Sequence, residues 1–257
     1  MFLRKFLYYW YEKLLEKEVH GGIMPVHIGI ILDGNRRFAR EMGFNDVTLG
    51  HKEGAKKLDD FLQWCSDSGI KIVTIWVLST ENTKRDYLEL NGLLKVIEEN
   101  IIELSRSLVI KKNSFRIKIL GKFDVLPDTL KEAVRNAEEY TRNNQNHILN
   151  IAVGYGGREE ILEAVRKTIK EKKAADPDEL ANSITTEDIT NHLYTNGIPD
   201  PDLIIRTSGE IRLSGFLLWQ SVYSEFYFCD ALWPAFRKID FLRAIRSYQH
   251  RVRRFGK

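Results

Sequence analysis

HIGIILDGNRRFAREMG, residues 27–43, runs an apolar stretch straight into an aspartate, a glycine and a cluster of arginines. Residues 27–33 are almost continuously apolar, the pattern of a strand covered on both faces. Five comparable runs follow at 72–79, 115–121, 147–154, 203–207 and 225–229. Between them apolar residues recur at helical spacing, as in Leu58, Phe61, Leu62 and Cys65, or in the stripe from Leu90 through Ile97 and Ile101 to Leu108. Leu130–Tyr140, Ile161–Thr168 and Phe241–Phe255 repeat the pattern. This alternation predicts an α/β single domain: a mostly parallel six-stranded central sheet flanked by helices. The polar stretch 171–183 reads as a loop, and Thr185 to Asp188 as a capping box opening the next helix.

The rest of the chain bounds the function. Hydrophobic residues make up 43% of the 257, enough for a substantial core. A net charge of +3 does not by itself imply nucleic acid, and no nucleic-acid-binding motif accompanies it. The charge is uneven, however: from Arg237 to Lys257 eight Lys or Arg face one acid, Asp240. That segment is either a solvated basic face or a site for anionic ligands or lipid. Cys65 and Cys229 lack metal-ligand spacing, and a reducing, cytoplasmic setting suits them.

No apolar run reaches the roughly 18 residues that span a bilayer. In the N-terminal segment Phe2, Phe6, Trp10 and Leu14 form one row, and Leu3, Leu7, Tyr11 and Leu15 form a second beside it. The helix they define either packs on its own domain or lies on a membrane surface.

In open α/β sheets ligands gather outside the carboxyl ends of the strands. Those ends here carry Asp33-Gly34-Asn35, then Ser79-Thr80-Glu81-Asn82 with Arg85 beyond, then Gly154 to Arg158, then Arg206 to Glu210 with Arg212 and Ser214. A rim so rich in arginine suits a strongly anionic ligand, and a diphosphate fits well. A helix starting near Asn35 would present free N–H groups to a phosphate, with Arg37 and Arg40 on one side. Asp33 has two readings. It is a helix N-cap, or it meets phosphate oxygens through a bridging Mg²⁺. A phosphatase of the haloacid-dehalogenase type wants a second aspartate where Asn35 stands, and DGNRRFA lacks the glycine pattern of a dinucleotide binder.

HIGIILDGNRRFA, GHKEGAKKL, TIWVLSTENTKR, NIAVGYGGREEI, PDLIIRTSGEIRLSGFLLWQSVYSEFYF and LWPAF occur in this order over residues 27–236. The ordered set resembles the signature regions of the cis-prenyltransferases, the undecaprenyl diphosphate synthase family, and the N-terminal aromatic helix and paired arginines look like its archaeal, tritrans,polycis-polyprenyl diphosphate synthase branch. The resemblance implies an enzyme that condenses isopentenyl diphosphate with an allylic diphosphate, geranylgeranyl or farnesyl, to build a long polyprenyl diphosphate for a glycosyl carrier lipid. The allylic carbon loses its diphosphate, the double bond of isopentenyl diphosphate attacks it, and a C2 proton leaves to give a Z double bond.

The resemblance also implies roles. Asp33 would ligate Mg²⁺; Gly34, Asn35, Arg36 and Arg37 would cradle the allylic diphosphate, with Phe38, Arg40, His51 and Arg85 nearby and Ser79, Thr80 and Glu81 on the rim. Asn82 would assist proton loss or orient the acceptor. Arg206, Arg212 and Ser214 would hold isopentenyl diphosphate. Glu225 would reach a metal at the partner's site in a homodimer, and Arg254 and Gly256 would form the R-x-G tail that completes the acceptor site. On this reading 1–22 is an N-terminal amphipathic helix and 23–257 the catalytic domain.

Four departures from the family pattern stand out. Between Gly43 and Gly50 no arginine occurs, so its phosphate contact falls to Arg40 or goes undone. Phe38 replaces a tryptophan, Ile211 stands where many bacterial members have histidine, and Trp76 and Val77 are larger than residues often found there. The product chain needs an apolar tunnel, which the 90–108 and 47–65 helices would wall over strands 72–79 and 147–154. A prenyltransferase with another acceptor or a non-head-to-tail linkage, and a non-catalytic partner subunit, remain as alternatives. The second of these is disfavoured by the retained aspartate and arginines.

Overall fold

The computed structural model describes residues 2–81, 87–172 and 176–251, with side chains from residue 6 and, in the second segment, from residue 90. The six apolar runs are strands β1 (His27–Ile31), β2 (Ile72–Ser79), β3 (Phe115–Leu120), β4 (His147–Tyr155), β5 (Leu203–Arg206) and β6 (Glu225–Phe228). They form one sheet in the order β3-β4-β2-β1-β5-β6, parallel throughout. Central β1 and β5 are buried at every residue, whereas edge strand β6 is half-buried along its whole length. Continuous burial is what near-continuous Ile, Leu and Val encode.

Alternate strand residues serve two layers. One face, with Ile28, Ile30, Val73, Ile75, Leu149 and Ile151, packs on α3 (Thr48–Asp67), α4 (Tyr87–Ser105), α6 (Asp128–Thr141) and α10 (Lys238–Gln249). The other face, with Ile31, Ala152 and Ile204, meets Tyr155, Phe216 and Leu217. Beyond it α7 (Gly157–Lys172) packs against α9 (Thr186–Asn191).

α1 (Phe2–Val19) packs on α10, with Leu15 and Val19 fully buried in the core and Tyr11 against it. The row containing Phe6, Trp10 and Leu14 stays exposed, Phe6 at 64% and Trp10 at 58%. Phe2 and Leu3 lie outside the described side chains.

Two sequence expectations need correction. The 90–108 stripe is not one helix: α4 ends at Ser105, and α5 (Leu108–Asn113) restarts with the Ser107 hydroxyl accepting from the Ile110 amide at 3.4 Å. A serine that satisfies an orphan N–H begins a helix without interrupting the apolar periodicity. Residues 171–183 are not simply a loop either, since α7 runs on through Lys172 and α8 spans Pro177–Ser183. Asp176 caps α8, accepting from the Asp178 amide at 3.0 Å, and Pro177 opens it. Aspartate followed by proline is a helix-start signal that the density of charge hid. The Thr185–Asp188 capping box is present.

Within the sheet a buried polar relay joins its strands. His27 Nδ1 lies 2.6 Å from the Pro199 carbonyl, which only accepts, so Nδ1 carries the proton. Nε2 therefore accepts from the Thr74 hydroxyl at 2.8 Å, and Thr74 accepts from Asn150 Nδ2 at 2.9 Å.

At β1 the chain order reverses, with β2 on one side and β5 on the other. Connections leaving the tops of these strands diverge, and the crevice that opens is the usual place for a ligand in this architecture.

Candidate active site

Past Ile31 the backbone turns at Gly34, φ 106°, which is the N-cap of α2 (Asn35–Glu41). A side chain there would be in a rarely adopted conformation, and its Cβ would lie 3.0 Å from the Leu232 Cα. Gly34, not Asp33, thus occupies the cap position, and no side chain caps the helix. The N-cap reading of Asp33 falls.

Asp33 is held from both sides. Its amide donates to Thr207 Oγ1 at 3.0 Å, and its carbonyl accepts from the Thr207 hydroxyl at 2.7 Å and the Trp233 amide at 3.0 Å. Its carboxylate is 37% exposed, and Oδ2 accepts from Arg206 Nη2 at 2.8 Å. No hydrogen bond from a described residue engages Oδ1. Arg206 ends β5 with its side chain 6% exposed. Its Nη1 donates to Ser214 Oγ at 2.9 Å and to the Arg212 carbonyl, while its buried Nε finds no acceptor among the described residues. A buried guanidinium with an unused donor fits an anion arriving from the cavity.

Arg37 Nη1 donates to the Ser208 carbonyl at 3.0 Å, and Arg37 Nη2 lies 3.6 Å from Glu210, which also pairs with Arg212. Glu210 thus balances two arginines on opposite sides of the rim.

These groups border a cavity of about 600 Å³. Its polar lining is Asp33, Gly34, Asn35, Arg36, Arg37, Arg40, His51, Ser79, Glu81, Arg206, Arg212 and Ser214. Its apolar lining includes Leu58 from α3, Ile75 and Val77 from β2, and Leu93, Val96 and Ile97 from α4, with Ile31 and Leu32 at the end of β1. The apolar part therefore lies between β2 and the α3/α4 pair, as expected for a tunnel. Among the described residues β4 contributes nothing to it, contrary to the expectation that strand 147–154 would wall the tunnel. Trp76 touches the cavity, but its indole stacks on Phe216 at 5.4 Å on the opposite face of the sheet.

Not every expected residue converges. Phe38 packs edge-on against Phe44 and Thr80 is absent from the lining, its amide bound to the Tyr155 carbonyl. The exposed Arg158 also stands outside the cavity. Glu225 begins β6 in register with Leu203, three residues before Arg206, hence about 10 Å lower along the strands. It pairs with Arg251 at 2.8 Å. Asn82, Arg85, Arg254 and Gly256 lie outside the described residues.

Sequence reasoning missed three supports. Thr207 and Trp233 fix Asp33 through its backbone, and the Trp233 indole donates to the Gly54 carbonyl at 2.8 Å. Gly50 and Gly54 let α3 touch α2: a Cβ on them would lie 2.2 Å from the Asn35 carbonyl oxygen and 2.3 Å from Asn35 Oδ1. The spacing of two glycines four apart inside an amphipathic helix was the available signal.

Among the described residues no three His, Cys, Asp or Glu side chains cluster as a closed metal cage. One carboxylate with a free oxygen beside an anion site instead fits Mg²⁺, which takes few protein ligands and completes its shell with phosphate and water.

A parallel α/β sheet whose switch point joins this cationic, carboxylate-bearing rim to an apolar cavity defines a protein for a diphosphate with a hydrocarbon tail. The family model described as "Putative undecaprenyl diphosphate synthase" matches residues 31–256. An isoprenyl transferase of Thermus thermophilus is 51% identical over 98% of this chain and 96% of its own. The "tritrans,polycis-undecaprenyl-diphosphate synthase (geranylgeranyl-diphosphate specific)" of Methanopyrus kandleri is 48% identical over 98% of this chain and 92% of its own. The crystal structure of lavandulyl diphosphate synthase from Lavandula x intermedia, in complex with dimethylallyl diphosphate, superposes with a TM-score of 0.81 at 36% identity over 93% of this chain and all of that one. The chain belongs to the cis-prenyltransferase family and is a prenyl-transferring enzyme.

Proposed function

We propose that the enzyme condenses isopentenyl diphosphate with an allylic diphosphate, geranylgeranyl or farnesyl, with Z stereochemistry, and makes a long polyprenyl diphosphate for a glycosyl carrier lipid. The observation that carries this reading is the continuity of one cavity from the Asp33–Arg206 pair to Leu58, Val77, Leu93 and Ile97. The allylic diphosphate sits at the start of α2, on the backbone N–H groups and Arg36, Arg37 and Arg40. Isopentenyl diphosphate takes Arg206, Arg212 and Ser214. With the two diphosphates fixed side by side, the reacting carbons meet without a bimolecular search. Charge gathers on the leaving diphosphate in the transition state, where fixed guanidiniums are most effective. Asp33 would hold Mg²⁺, which would supply further neutralisation of that charge. Arg40, which borders the cavity, takes over the phosphate contact that the 43–50 segment lacks. The growing chain passes between β2 and the α3/α4 pair, each buried methylene contributing roughly 0.8 kcal/mol.

The site is completed by a second protomer. Glu225 lies on an edge strand below its own rim, so it serves a partner's metal rather than its own, with Arg254 and Gly256 in the same partnership. The enzyme works in the cytoplasm, with α1 resting on an anionic membrane surface. Support for the latter is the outward row of Phe6, Trp10 and Leu14 with Lys13 and Lys17 on the same side, while Glu12 and Glu18 are matched by Lys238 and Arg246 of α10 and Glu16 by both Lys238 and Lys13. Among the described residues no helix is long and apolar enough to cross a membrane.

The test is incorporation of labelled isopentenyl diphosphate, with Mg²⁺ and a panel of allylic primers, into butanol-extractable product. The expected outcome is a series of long Z-prenyl diphosphates, lost when the metal is chelated. A branched or irregular linkage would move the reading to a variant acceptor, and no incorporation with any primer would move it to a non-catalytic subunit.

A further inference from the structure

The loop that presents Arg212 and Ser214 is built against backbone preference. Ser208, Ser214 and Leu217 all have left-handed φ, at 76°, 50° and 45°. Such residues persist only where their surroundings hold them. Phe216 and Leu217 are fully buried, the Gly157 amide donates to the Gly215 carbonyl at 2.8 Å, and further along the loop Gln220 is 2% exposed.

Gln220 reaches a carboxylate that the proposed chemistry does not use. Glu160, in the first turn of α7, is 1% exposed. It accepts from the Tyr155 hydroxyl at 2.5 Å, from the Tyr194 amide at 2.9 Å and from Gln220 Nε2 at 3.2 Å. Gln220 Nε2 also donates to Thr195 Oγ1 at 2.9 Å. Among the described residues Glu160 has no ion pair, and burial pushes its carboxyl above the usual range. A buried acid without a cation is an expensive way to fill space. A plain core position would take an apolar side chain. What the carboxylate supplies is several acceptor sites at one point, where the end of β4, the segment before β5 and the 212–221 loop meet.

We propose that Glu160 is a positioning residue for the acceptor diphosphate: through Gln220 it anchors the 212–221 loop and thereby sets Ser214 beside Arg206. This rests on the assignment of Arg206, Arg212 and Ser214 to isopentenyl diphosphate. Glu160 is not in the cavity lining, so it acts on that substrate only through the loop. The allylic site on α2 shares no described hydrogen bond with Glu160 or Gln220.

The experiment measures steady-state constants for both substrates in Glu160→Gln and Gln220→Ala, with circular dichroism and melting as checks on folding. Gln220→Ala removes the loop-side donor and leaves Glu160 its Tyr155 and Tyr194 partners, so it remains informative if Glu160→Gln does not fold. The expected result is a KM for isopentenyl diphosphate raised by about tenfold in either variant, the loss of roughly one hydrogen bond to a charged group, with KM for the allylic primer nearly unchanged. The swapped pair Glu160→Gln with Gln220→Glu restores a carboxylate–amide contact and should recover part of the lost KM. Equal changes in both KM values, or a fall in kcat alone, would overturn the proposal. So would wild-type constants in the folded variants. Failure of the wild-type enzyme to use isopentenyl diphosphate would instead overturn the assignment beneath it.

Discussion

Asp33 is where the two readings of the opening stretch part. The structure gives the cap position to Gly34 and leaves the aspartate tied by its backbone to Thr207 and Trp233, one carboxylate oxygen on Arg206. Asp33→Asn keeps an oxygen for Arg206 but loses the charge that a cation needs. It should melt within a few degrees of the wild type and lose about 10²–10³-fold in turnover, read by labelled incorporation at saturating Mg²⁺. Near-normal turnover would refute the metal role. Gly34→Ala is expected to lose roughly 1–3 kcal/mol of stability in denaturant unfolding, because φ 106° and the Leu232 contact both oppose a Cβ. The arginine rim was legible because charge beside apolar strands is conspicuous. Thr207, Trp233 and Gly54 were not, because the first two bind backbone atoms of other residues and the last acts by the absence of a side chain.

The strands were legible to within two residues at their ends, since burial on both faces keeps the central ones mostly apolar. Helix ends were less so. Ser107 and Asp176 each begin a helix through one side-chain hydrogen bond, which leaves no mark on apolar periodicity. The relay within the sheet carries its own pH signature. His27 is buried and its pKa is lowered from 6.5 to about 4, burial disfavouring the imidazolium. The unfolded chain takes up a proton below pH 6.5 that the folded chain refuses until about pH 4. The His27 contribution is therefore present above pH 6.5 and is lost as pH falls toward 4, an effect on the order of 3 kcal/mol. Denaturant titrations at pH 7.5 and 4.5 should show a smaller difference for His27→Gln than for the wild type. An identical difference would mean that the imidazole is already protonated in the folded chain.

Architecture follows from the alternation of elements, but assembly does not. Edge strand β6 is half-buried, Val222 and Tyr223 before it are 71% and 57% exposed, and no described strand pairs with its outer side. An edge of this kind is a ready interface. Sedimentation should give a dimer that Tyr223→Lys and Phe226→Lys weaken, with activity falling in step. A fully active monomer would remove Glu225 from the chemistry. For α1, sedimentation with phosphatidylglycerol vesicles should bind the wild type and release Trp10→Ser, with phosphatidylcholine vesicles binding less. Equal binding of both proteins would detach the helix from the membrane.

The central claim is that one cavity holds two diphosphates at its rim and a hydrocarbon tail in its depth. The most direct measurement is a crystal structure with Mg²⁺, isopentenyl diphosphate and an unreactive thio-analogue of the allylic diphosphate. The account predicts one diphosphate on the α2 amides with Arg37, the other on Arg206, Arg212 and Ser214, and the tail among Leu58, Val77, Leu93 and Ile97. A diphosphate bound away from Asp33 and Arg206, or a tail lying in solvent, would contradict it.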